Sequence, residues 1–266
     1  MCKNSLNVND VMRKMLLPLF CACLLQAACS PTLFQQIATL SSDSVTLNDD
    51  GSFSYEDAMI TIEYDFWSES GKFVFTITNN TDDDIKLNLA DSYFVNNGYA
   101  FDYYQARTYV TTSRKFSSTK LTSSTAAASE SSNSVEYQEK PVVCIPAHAT
   151  KVFEEFAVSS SVFRECGFVR DPSKKETSVR EYSQYNSPLI IENRLSFLIG
   201  EITVPVTNVF YVSKYQNIAC VNTIEYLRSE TCNGSRRDVK VHKLSARNKF
   251  YITYEPWSAS GAGSDR

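Results

Sequence analysis

A run of alternating apolar and polar residues between positions 44 and 89 constrains the fold of this chain more than any other feature. Ile60 to Phe66 and Phe73 to Ile77 place a large apolar residue at every second position, and Val45 to Leu47 and Ile85 to Leu89 follow the same pattern. A period of two is typical of β-strands with one buried face and one solvated face. Polar turn residues separate the runs, so we expect a meander of antiparallel strands.

Strand-like segments continue to the end of the chain. The clearest turn is Asn96 to Gly98, between two short aromatic runs. Further apolar runs lie at 142–145, 152–158, 189–191, 195–206, 209–215 and 250–254. Many short strands with turn signals between them predict an all-β fold, an antiparallel β-sandwich with few short helices. We place the sandwich body at 44–257 and a disordered tail at 258–266.

Two segments of this body resemble the strand, turn and strand of immunoglobulin-like domains in bacterial lipoproteins. They are FVFTITNNTDDDIKLNL from Phe73 to Leu89 and VVCIPAHATKVF from Val142 to Phe153. Together they cover about an eighth of the mature chain, and such segments recur in sandwiches with unrelated roles. The resemblance therefore implies an immunoglobulin-like sandwich and says little about function.

The segment before the body has the composition of a secretory leader. Arg13 and Lys14 form a short positive start, and residues 15–28 are apolar apart from Gln26. This run is shorter than the roughly 18 residues that a transmembrane helix needs, so we interpret 12–28 as a removable signal peptide. Residues 1–11 are polar and do not fit a leader, so they form a candidate upstream extension, with translation beginning at Met12.

The end of the leader, LQAAC, resembles the lipobox of bacterial lipoproteins. Its leucine stands one place further from Cys29 than in the usual pattern, and Cys23 is a weaker candidate for the same role. The resemblance implies that Cys29 carries acyl chains such as palmitate and anchors the protein in a membrane. Ser30, which stands where an Asp retains some lipoproteins in the inner membrane, favours the outer membrane. The alternative is an ordinary signal peptide.

Two segments of the mature chain are predicted to lie outside the packed body. Residues 29–43 are expected to form a tether, either unstructured or beginning with a short helix at Ser30. Residues 111–134 are more than half Ser or Thr, with Phe116 and Leu121 as the only large apolar residues. Such a composition buries too little surface to offset its ordering entropy, which predicts either a linker between two domains or, as we prefer, a mobile loop that serves as a lid, a glycosylated spacer or a tolerated insertion.

Four cysteines lie in the mature body: Cys144, Cys166, Cys220 and Cys232. Export places them in an oxidising environment, where four cysteines allow three disulfide pairings. Proximity in sequence favours Cys144 with Cys166 and Cys220 with Cys232, and free thiols are the alternative. With no C-x-x-C spacing and only His148 and His242 as histidines, we expect neither a metal site nor a cofactor.

Tyrosines concentrate after the first strands and form a candidate binding surface: Tyr93, Tyr99, Tyr103, Tyr104 and Tyr109. Tyrosines at the edge of a sandwich can stack on sugar rings or bury area against a partner protein, although alternation also sends some of them into the core. Asp43, Ser44 and Val45 resemble the sites that some bacteria O-glycosylate in envelope proteins, which makes Ser44 a candidate for modification.

Charge is distributed unevenly along the chain. Residues 30–110 contain three basic and thirteen acidic residues, whereas residues 164–249 contain fourteen basic and nine acidic residues. Two solvated faces of one fold explain this asymmetry most simply, and the basic region at 236–249 could also meet acidic glycans or lipid headgroups. An exported protein meets little nucleic acid, so we expect no nucleic-acid partner.

The sequence contains no Gly-rich phosphate loop, G-x-S-x-G elbow or H-E-x-x-H helix, so it gives no sign of an enzyme of those classes. A glycosidase would need only two carboxylates, for which there are four candidates: Glu63, Asp65, Glu154 and Glu155. Each of them is also what the polar face of a strand would carry.

We therefore expect a non-catalytic binding or structural module of the cell envelope, an outer-membrane lipoprotein on the periplasmic or surface face. Its partners would be the membrane, through the lipid, and a glycan or protein ligand. The alternatives are a glycan-binding accessory protein or glycan-directed hydrolase, and a fimbrial subunit. Fimbrial subunits need an early basic cleavage site, and residues 30–71 contain no Lys or Arg.

Overall fold

The computed structural model describes residues 33–122 and 125–256, without the side chains of residues 111–135. The strands of the first half are β1 (Phe34–Ser41), β2 (Thr46–Leu47), β3 (Phe53–Glu56), β4 (Ile60–Asp65), β5 (Lys72–Asn79), β6 (Ile85–Asn88), β7 (Tyr93–Asn96), β8 (Tyr99–Asp102) and β9 (Thr108–Thr122). Those of the second half are β10 (Thr125–Gln138), β11 (Val142–Ile145), β12 (Thr150–Ala157), β13 (Thr177–Glu181), β14 (Ile190–Ile199), β15 (Ile202–Ala219), β16 (Ile224–Glu230), β17 (Arg236–His242) and β18 (Lys249–Tyr254). Three single-turn 3₁₀ helices are the helical elements of the described part: Leu89–Asp91, Gln184–Asn186 and Cys220–Asn222.

Most strands belong to two antiparallel sheets. The larger sheet contains β11, β6, β14, β15, β1 and β18 in that order, while β13 pairs with β15, β7 pairs with β14, and β8 pairs with β7. The smaller sheet has the order β12, β5, β4, β3 and β2. Two further pairs, β9 with β10 and β16 with β17, form separate two-stranded hairpins. The two sheets form a β-sandwich, so the predicted all-β antiparallel fold is confirmed.

Aromatic rings fill the core between the sheets. The burial of β4 and β5 alternates as their sequences predict: Ile62 and Tyr64 of β4 and Phe73 and Phe75 of β5 are buried, while the intervening residues of each strand are more exposed. Tyr64 contacts Phe210 of the larger sheet with ring centroids 4.8 Å apart, and Phe73 contacts Phe94 at the same distance. Buried rings of this kind remove roughly 150–250 Å² of surface each, so these contacts supply much of the attraction between the sheets.

The two segments with the immunoglobulin-like pattern lie side by side. β5 pairs with β12 in the smaller sheet, and β6 pairs with β11 in the larger one. The chain therefore crosses between the sheets twice at the same place, and the expectation that β6 continues the meander of β4 and β5 is wrong. Asn79 holds the crossings together, since its buried amide donates to the carbonyls of Ile145 and Pro146 at 3.0 and 3.1 Å.

The segment predicted as a tether, 29–43, contributes a strand to the sandwich instead. β1 lies between β15 and β18, and Phe34 pairs with both Ala219 and Tyr254. Its consecutive glutamines, Gln35 and Gln36, are both buried, and the amide of Gln36 donates to the side chain of Asn217 at 3.0 Å. Buried polar groups are tolerated when they are hydrogen bonded in this way.

The Ser/Thr-rich segment is also more regular than the predicted loop at 111–134. Its two halves pair with each other as β9 and β10, in a register that places Tyr109 opposite Tyr137. Ser and Thr cannot form a core, but a hairpin needs only backbone pairing and residues with adequate β-propensity. At the base of the hairpin, Arg107 donates to Glu139 at 2.7 Å and to Glu155 at 2.6 Å, which ties the hairpin to β12.

The predicted leader at 12–28, the upstream extension at 1–11, Cys29 and the tail at 258–266 lie outside the described residues. Among the residues that are described, no helix has the length and apolar character needed to cross a bilayer.

Candidate functional site

An open cleft with a volume of about 310 Å³ combines an aromatic side chain with three charged ones. It forms where the β2–β3 turn, the end of β4 and the loop between β17 and β18 meet. The residues that line it are Asp50, Asp65, Trp67, Ser245, Ala246 and Arg247. Three distant parts of the sequence therefore contribute to one site.

The β2–β3 turn positions the first carboxylate. Asp50 accepts hydrogen bonds from the backbone N–H and the hydroxyl of Ser52, at 2.9 and 2.6 Å. Gly51 follows with a φ of 81°, in the left-handed region that favours glycine, and passes close to the backbone of Arg247. The bonds from Ser52 and from Arg247 lower the pKa of Asp50 to about 2, so the group is a carboxylate at neutral pH.

Arg247 is held between two carboxylates. Its Nη1 donates to Asp50 at 2.6 Å and its Nε donates to Asp65 at 3.1 Å. The backbone carbonyl of Arg247 accepts from the N–H of Phe66 at 2.8 Å, which fixes the loop against the end of β4. Side chains that are 35 to 56% exposed gain little stability from such pairs, because solvent screens them. The main effect of the pairing is to orient planar polar groups beside an open space.

Trp67 forms the aromatic side of the cleft. Asp65 fixes its backbone by accepting a hydrogen bond from the Trp67 N–H at 2.9 Å. The half-buried indole packs against His242 and Tyr251, with ring centroids 4.6 and 5.1 Å away. Asp65 therefore positions both the aromatic and the cationic component of the site.

His242 supports the indole as a neutral ring. Its Nδ1 accepts from the N–H of Leu244 at 3.3 Å, which leaves Nε2 to donate to Gln35 at 2.8 Å. Burial lowers the pKa of His242 below its ordinary value of 6.5, and the positive charges of Lys240 and Lys249 lower it further. The ring is therefore uncharged at neutral pH.

This combination of groups suits a pyranose ring. An indole packs against the C–H face of a sugar, and carboxylate oxygens accept from neighbouring hydroxyls while a guanidinium donates to them. A few convergent polar groups beside an aromatic wall are typical of small-molecule sites, although this cleft is at the small end of their usual range. The arrangement can bind and orient a hydroxylated ligand.

The predicted tyrosine surface is only partly exposed. Tyr99 is 75% exposed on β8, at the edge of the larger sheet. Tyr103 is 1% exposed and donates to Asn193 in the core at 2.9 Å, so its assignment to a binding surface is wrong. Its inward position follows from the chain turning back toward the core immediately after β8. The other three are half-buried: Tyr93, Tyr104 and Tyr109.

The four carboxylates considered for hydrolysis are dispersed. Asp65 lies in the cleft, and Glu63 is exposed on β4. Glu154 pairs with Lys72 at 2.6 Å, whereas Glu155 pairs with Arg107. Three of these carboxylates are thus bound by a cation in the folded protein.

Ser44 is exposed and lies beside a second, polar concavity of about 340 Å³. Its hydroxyl accepts from the backbone N–H of Val209 at 2.8 Å. O-glycosylation of Ser44 remains a prediction, and it would have to accommodate this bond.

The cysteine pairings predicted from sequence are not formed, because all four body cysteines are free. Cys144 lies on β11, which is connected through β6 and β14 to the first residues of β15. Cys166 lies near the other end of β15, because its carbonyl accepts from Arg180, and Arg180 pairs with Tyr215. The 18 residues of β15 extend roughly 60 Å at 3.3 Å per residue. A disulfide needs Cα atoms within about 7 Å of each other, so Cys144 and Cys166 cannot pair.

The second predicted pairing fails for a similar reason. Cys220 lies at the base of the β16–β17 hairpin, and Cys232 lies in the turn at its tip. The seven residues of β16 separate them by roughly 23 Å at 3.3 Å per residue. In the described part of the chain, no three His, Cys, Asp or Glu side chains come together as a metal site.

Searches for related proteins gave no match among family models, curated proteins or solved structures.

Sequence reasoning considered Asp65 and Arg247 separately, as a strand carboxylate and as part of a basic region, and it missed Asp50 and Trp67. Trp67 did carry a signal. It is one of two tryptophans in the chain, and it directly follows the alternating run of β4, where the pattern of buried positions ends. In the structure this position lines the cleft.

Proposed function

We propose that this chain is a non-catalytic binding protein of the bacterial cell envelope, and that the Trp67 cleft binds a sugar unit of a glycan. The observation that carries the proposal is the ion triad of Asp50, Arg247 and Asp65 fixed beside the indole, with both Arg247 contacts at 3.1 Å or less. Such a cleft offers an apolar wall and both donors and acceptors within the size of one ring.

A neutral sugar fits the charge of the cleft better than an acidic one. Two carboxylates face one guanidinium, and the pKa of Asp50 is lowered to about 2 by its bonds to Ser52 and Arg247. A uronic or sialic acid would bring a further negative charge beside these carboxylates. Neutral hydroxyl groups can instead donate to the carboxylates and accept from the guanidinium.

The same pairing favours binding over hydrolysis. A glycosidase needs one protonated carboxylic acid with a raised pKa and a second carboxylate as base or nucleophile. Asp50 and Asp65 share one guanidinium, and the hydrogen bonds from Ser52 and Arg247 lower the pKa of Asp50 and keep it ionised. They are therefore suited to accept hydrogen bonds from sugar hydroxyls.

The location in the envelope rests on the leader and the lipobox-like motif. Membrane fractionation of the wild type and of Cys29→Ala tests it. We expect the wild type to sediment with the outer membrane and the substitution to release it. Soluble wild-type protein, or no difference between the two, would contradict the anchor.

A glycan array probed with the wild type and with Trp67→Ala tests the ligand class. We expect binding to neutral oligosaccharides, reduced at least about thirtyfold by Trp67→Ala, since a buried aromatic anchor contributes 2 kcal/mol or more. Tyr185→Ala is the matched control, because Tyr185 is 99% exposed outside the cleft. Equal binding by Trp67→Ala and the control would rule the cleft out as the sugar site.

A further inference from the structure

The β16–β17 hairpin projects from the end of the sandwich at which the described chain begins. The N–H of Cys220, just before the hairpin, donates to the carbonyl of Leu33 at 2.9 Å. On the other side, His242 at the end of β17 donates to the side chain of Gln35 at 2.8 Å. The first residues of β1 are therefore fixed against the base of this hairpin.

The β16–β17 hairpin exposes apolar side chains on both of its faces. Tyr226 is 69% exposed and Leu227 is 51% exposed, and they point to opposite faces. Val221, at the base, is 67% exposed. A two-stranded hairpin is only marginally stable alone in water, so this hairpin would gain stability from packing against another surface.

The charges on the hairpin and at its base are mainly positive, and they are divided between its two faces. Its cations are Arg228, Arg236, Arg237, Lys240 and Lys243, and its anions are Glu225, Glu230 and Asp238. The loop that carries two more lysines is attached to the base, because the carbonyl of Lys174 accepts from the side chain of Asn222 at 2.6 Å. Long cationic side chains with apolar stems and nearby aromatic residues fit the headgroup region of an anionic bilayer.

We propose that the β16–β17 hairpin lies on an anionic lipid surface, the membrane in which the acyl chains of Cys29 are anchored. The inference rests on the lipid anchor of the proposed function. Cys29 precedes Leu33 by four residues, which span at most about 14 Å, so the lipid surface lies within reach of the hairpin base. The anchor and the hairpin then hold the same end of the protein against the membrane.

This orientation places the Trp67 cleft beside the lipid-facing end of the sandwich. The Trp67 indole packs against His242 with ring centroids 4.6 Å apart, and His242 donates to Gln35 at the base of the hairpin. Arg247 lies farther along β1, because the N–H of Leu40 donates to the carbonyl of Asn248, the residue after Arg247. A sugar bound in the cleft would therefore lie close to the base of the hairpin.

Lysine acetylation of the full-length chain, read by mass spectrometry, tests this orientation. The chain is incubated with phosphatidylcholine vesicles that either contain or lack phosphatidylglycerol. We expect Lys240 and Lys243 to react about fivefold more slowly on the anionic vesicles, with protection lost in high salt. Lys86 and Lys151 are exposed at the opposite end and serve as internal controls whose rates should not change.

A triple variant, Arg228→Gln with Arg236→Gln and Arg237→Gln, should abolish the protection of Lys240 and Lys243. Equal acetylation rates of Lys240 and Lys243 on both kinds of vesicle would overturn the proposal. Equally slow acetylation of these lysines in the absence of vesicles would also overturn it, because it would indicate contact with a second copy of the chain. Sugar binding is measured separately on the array. Its failure, with Lys240 and Lys243 still protected, would contradict the glycan cleft and leave the membrane contact standing.

Discussion

Replacement of Tyr64 by phenylalanine is expected to destabilise the sandwich strongly, although it removes only one oxygen atom. The Tyr64 hydroxyl is fully buried between the sheets. It accepts from the side-chain amides of Asn193 and Asn208 at 3.0 and 2.7 Å. The carbonyl of Asn193 in turn accepts from the Tyr103 hydroxyl. The network connects β4 of the smaller sheet with β14 and β15 of the larger one.

The expected loss of stability follows from the two hydrogen-bond donors that the substitution leaves without a partner. Without the hydroxyl, one amide N–H of Asn193 and one of Asn208 lose their partner inside the core, at about 1–3 kcal/mol each. Phenylalanine fills almost the same volume, so no large cavity term is added. We expect the free energy of unfolding to fall by about 2–6 kcal/mol, which for a chain of this size lowers the melting temperature by roughly 4–24 °C.

Urea unfolding of the wild type, Tyr64→Phe and Tyr55→Phe measures this difference. Tyr55 is the matched control because its half-buried hydroxyl donates to Asp57 near solvent, so its loss should cost under about 1 kcal/mol. Asn208→Leu should be less costly than Tyr64→Phe, since the Asn208 carbonyl oxygen is buried without a hydrogen-bond partner. Equal destabilisation by Tyr64→Phe and Tyr55→Phe would refute the reasoning.

Three other predictions concern Gly71 in the turn before β5, the ionisation of His242, and the ion pair of Arg107 with Glu139. Gly71→Ala should cost more stability in thermal unfolding than Gly98→Ala, because both have positive φ but only a Cβ at Gly71 would meet a core ring at 2.8 Å. Burial lowers the pKa of His242, so the unfolded chain binds the proton more readily. The free energy of unfolding should therefore fall as the pH drops below about 6.5, and His242→Gln should flatten that part of the profile. Glu139→Gln should speed proteolysis of the β9–β10 hairpin, because it weakens the clamp with Arg107; an unchanged cleavage rate would contradict this role.

Local patterns were sufficient to predict the strands with one buried face. β4 and β5 alternate in burial as their sequences do, and the Asn97–Gly98 turn joins β7 and β8. β1 was missed because Gln35 and Gln36 are polar and yet buried, and no local rule anticipates that Asn217 and a backbone carbonyl satisfy Gln36. The crossing of β6 into the other sheet was missed because alternation fixes which face is buried and leaves the partner strand open.

The cleft depended on contacts that no sequence pattern contains. Asp50 and Arg247 are 197 residues apart and pair at 2.6 Å. They meet because β18 pairs with β1 and the Phe66 N–H donates to the Arg247 carbonyl, which places the loop before β18 beside the end of β4. The tyrosine-rich composition of residues 93–109 predicted a binding surface there instead, but Tyr103 is buried in the core. Aromatic content alone does not separate a binding platform from packing.

The central claim is that the Trp67 cleft binds a neutral sugar, and the fluorescence of Trp67 measures this most directly. The titration uses the full chain with Trp257→Phe, so that one indole reports, and the neutral oligosaccharide that binds best on the array. We expect a saturable change in emission that Arg247→Met abolishes and that Arg194→Met, which breaks a surface pair with Glu192, leaves intact. A saturable change that persists in Arg247→Met, or no change with any neutral sugar, would contradict the account.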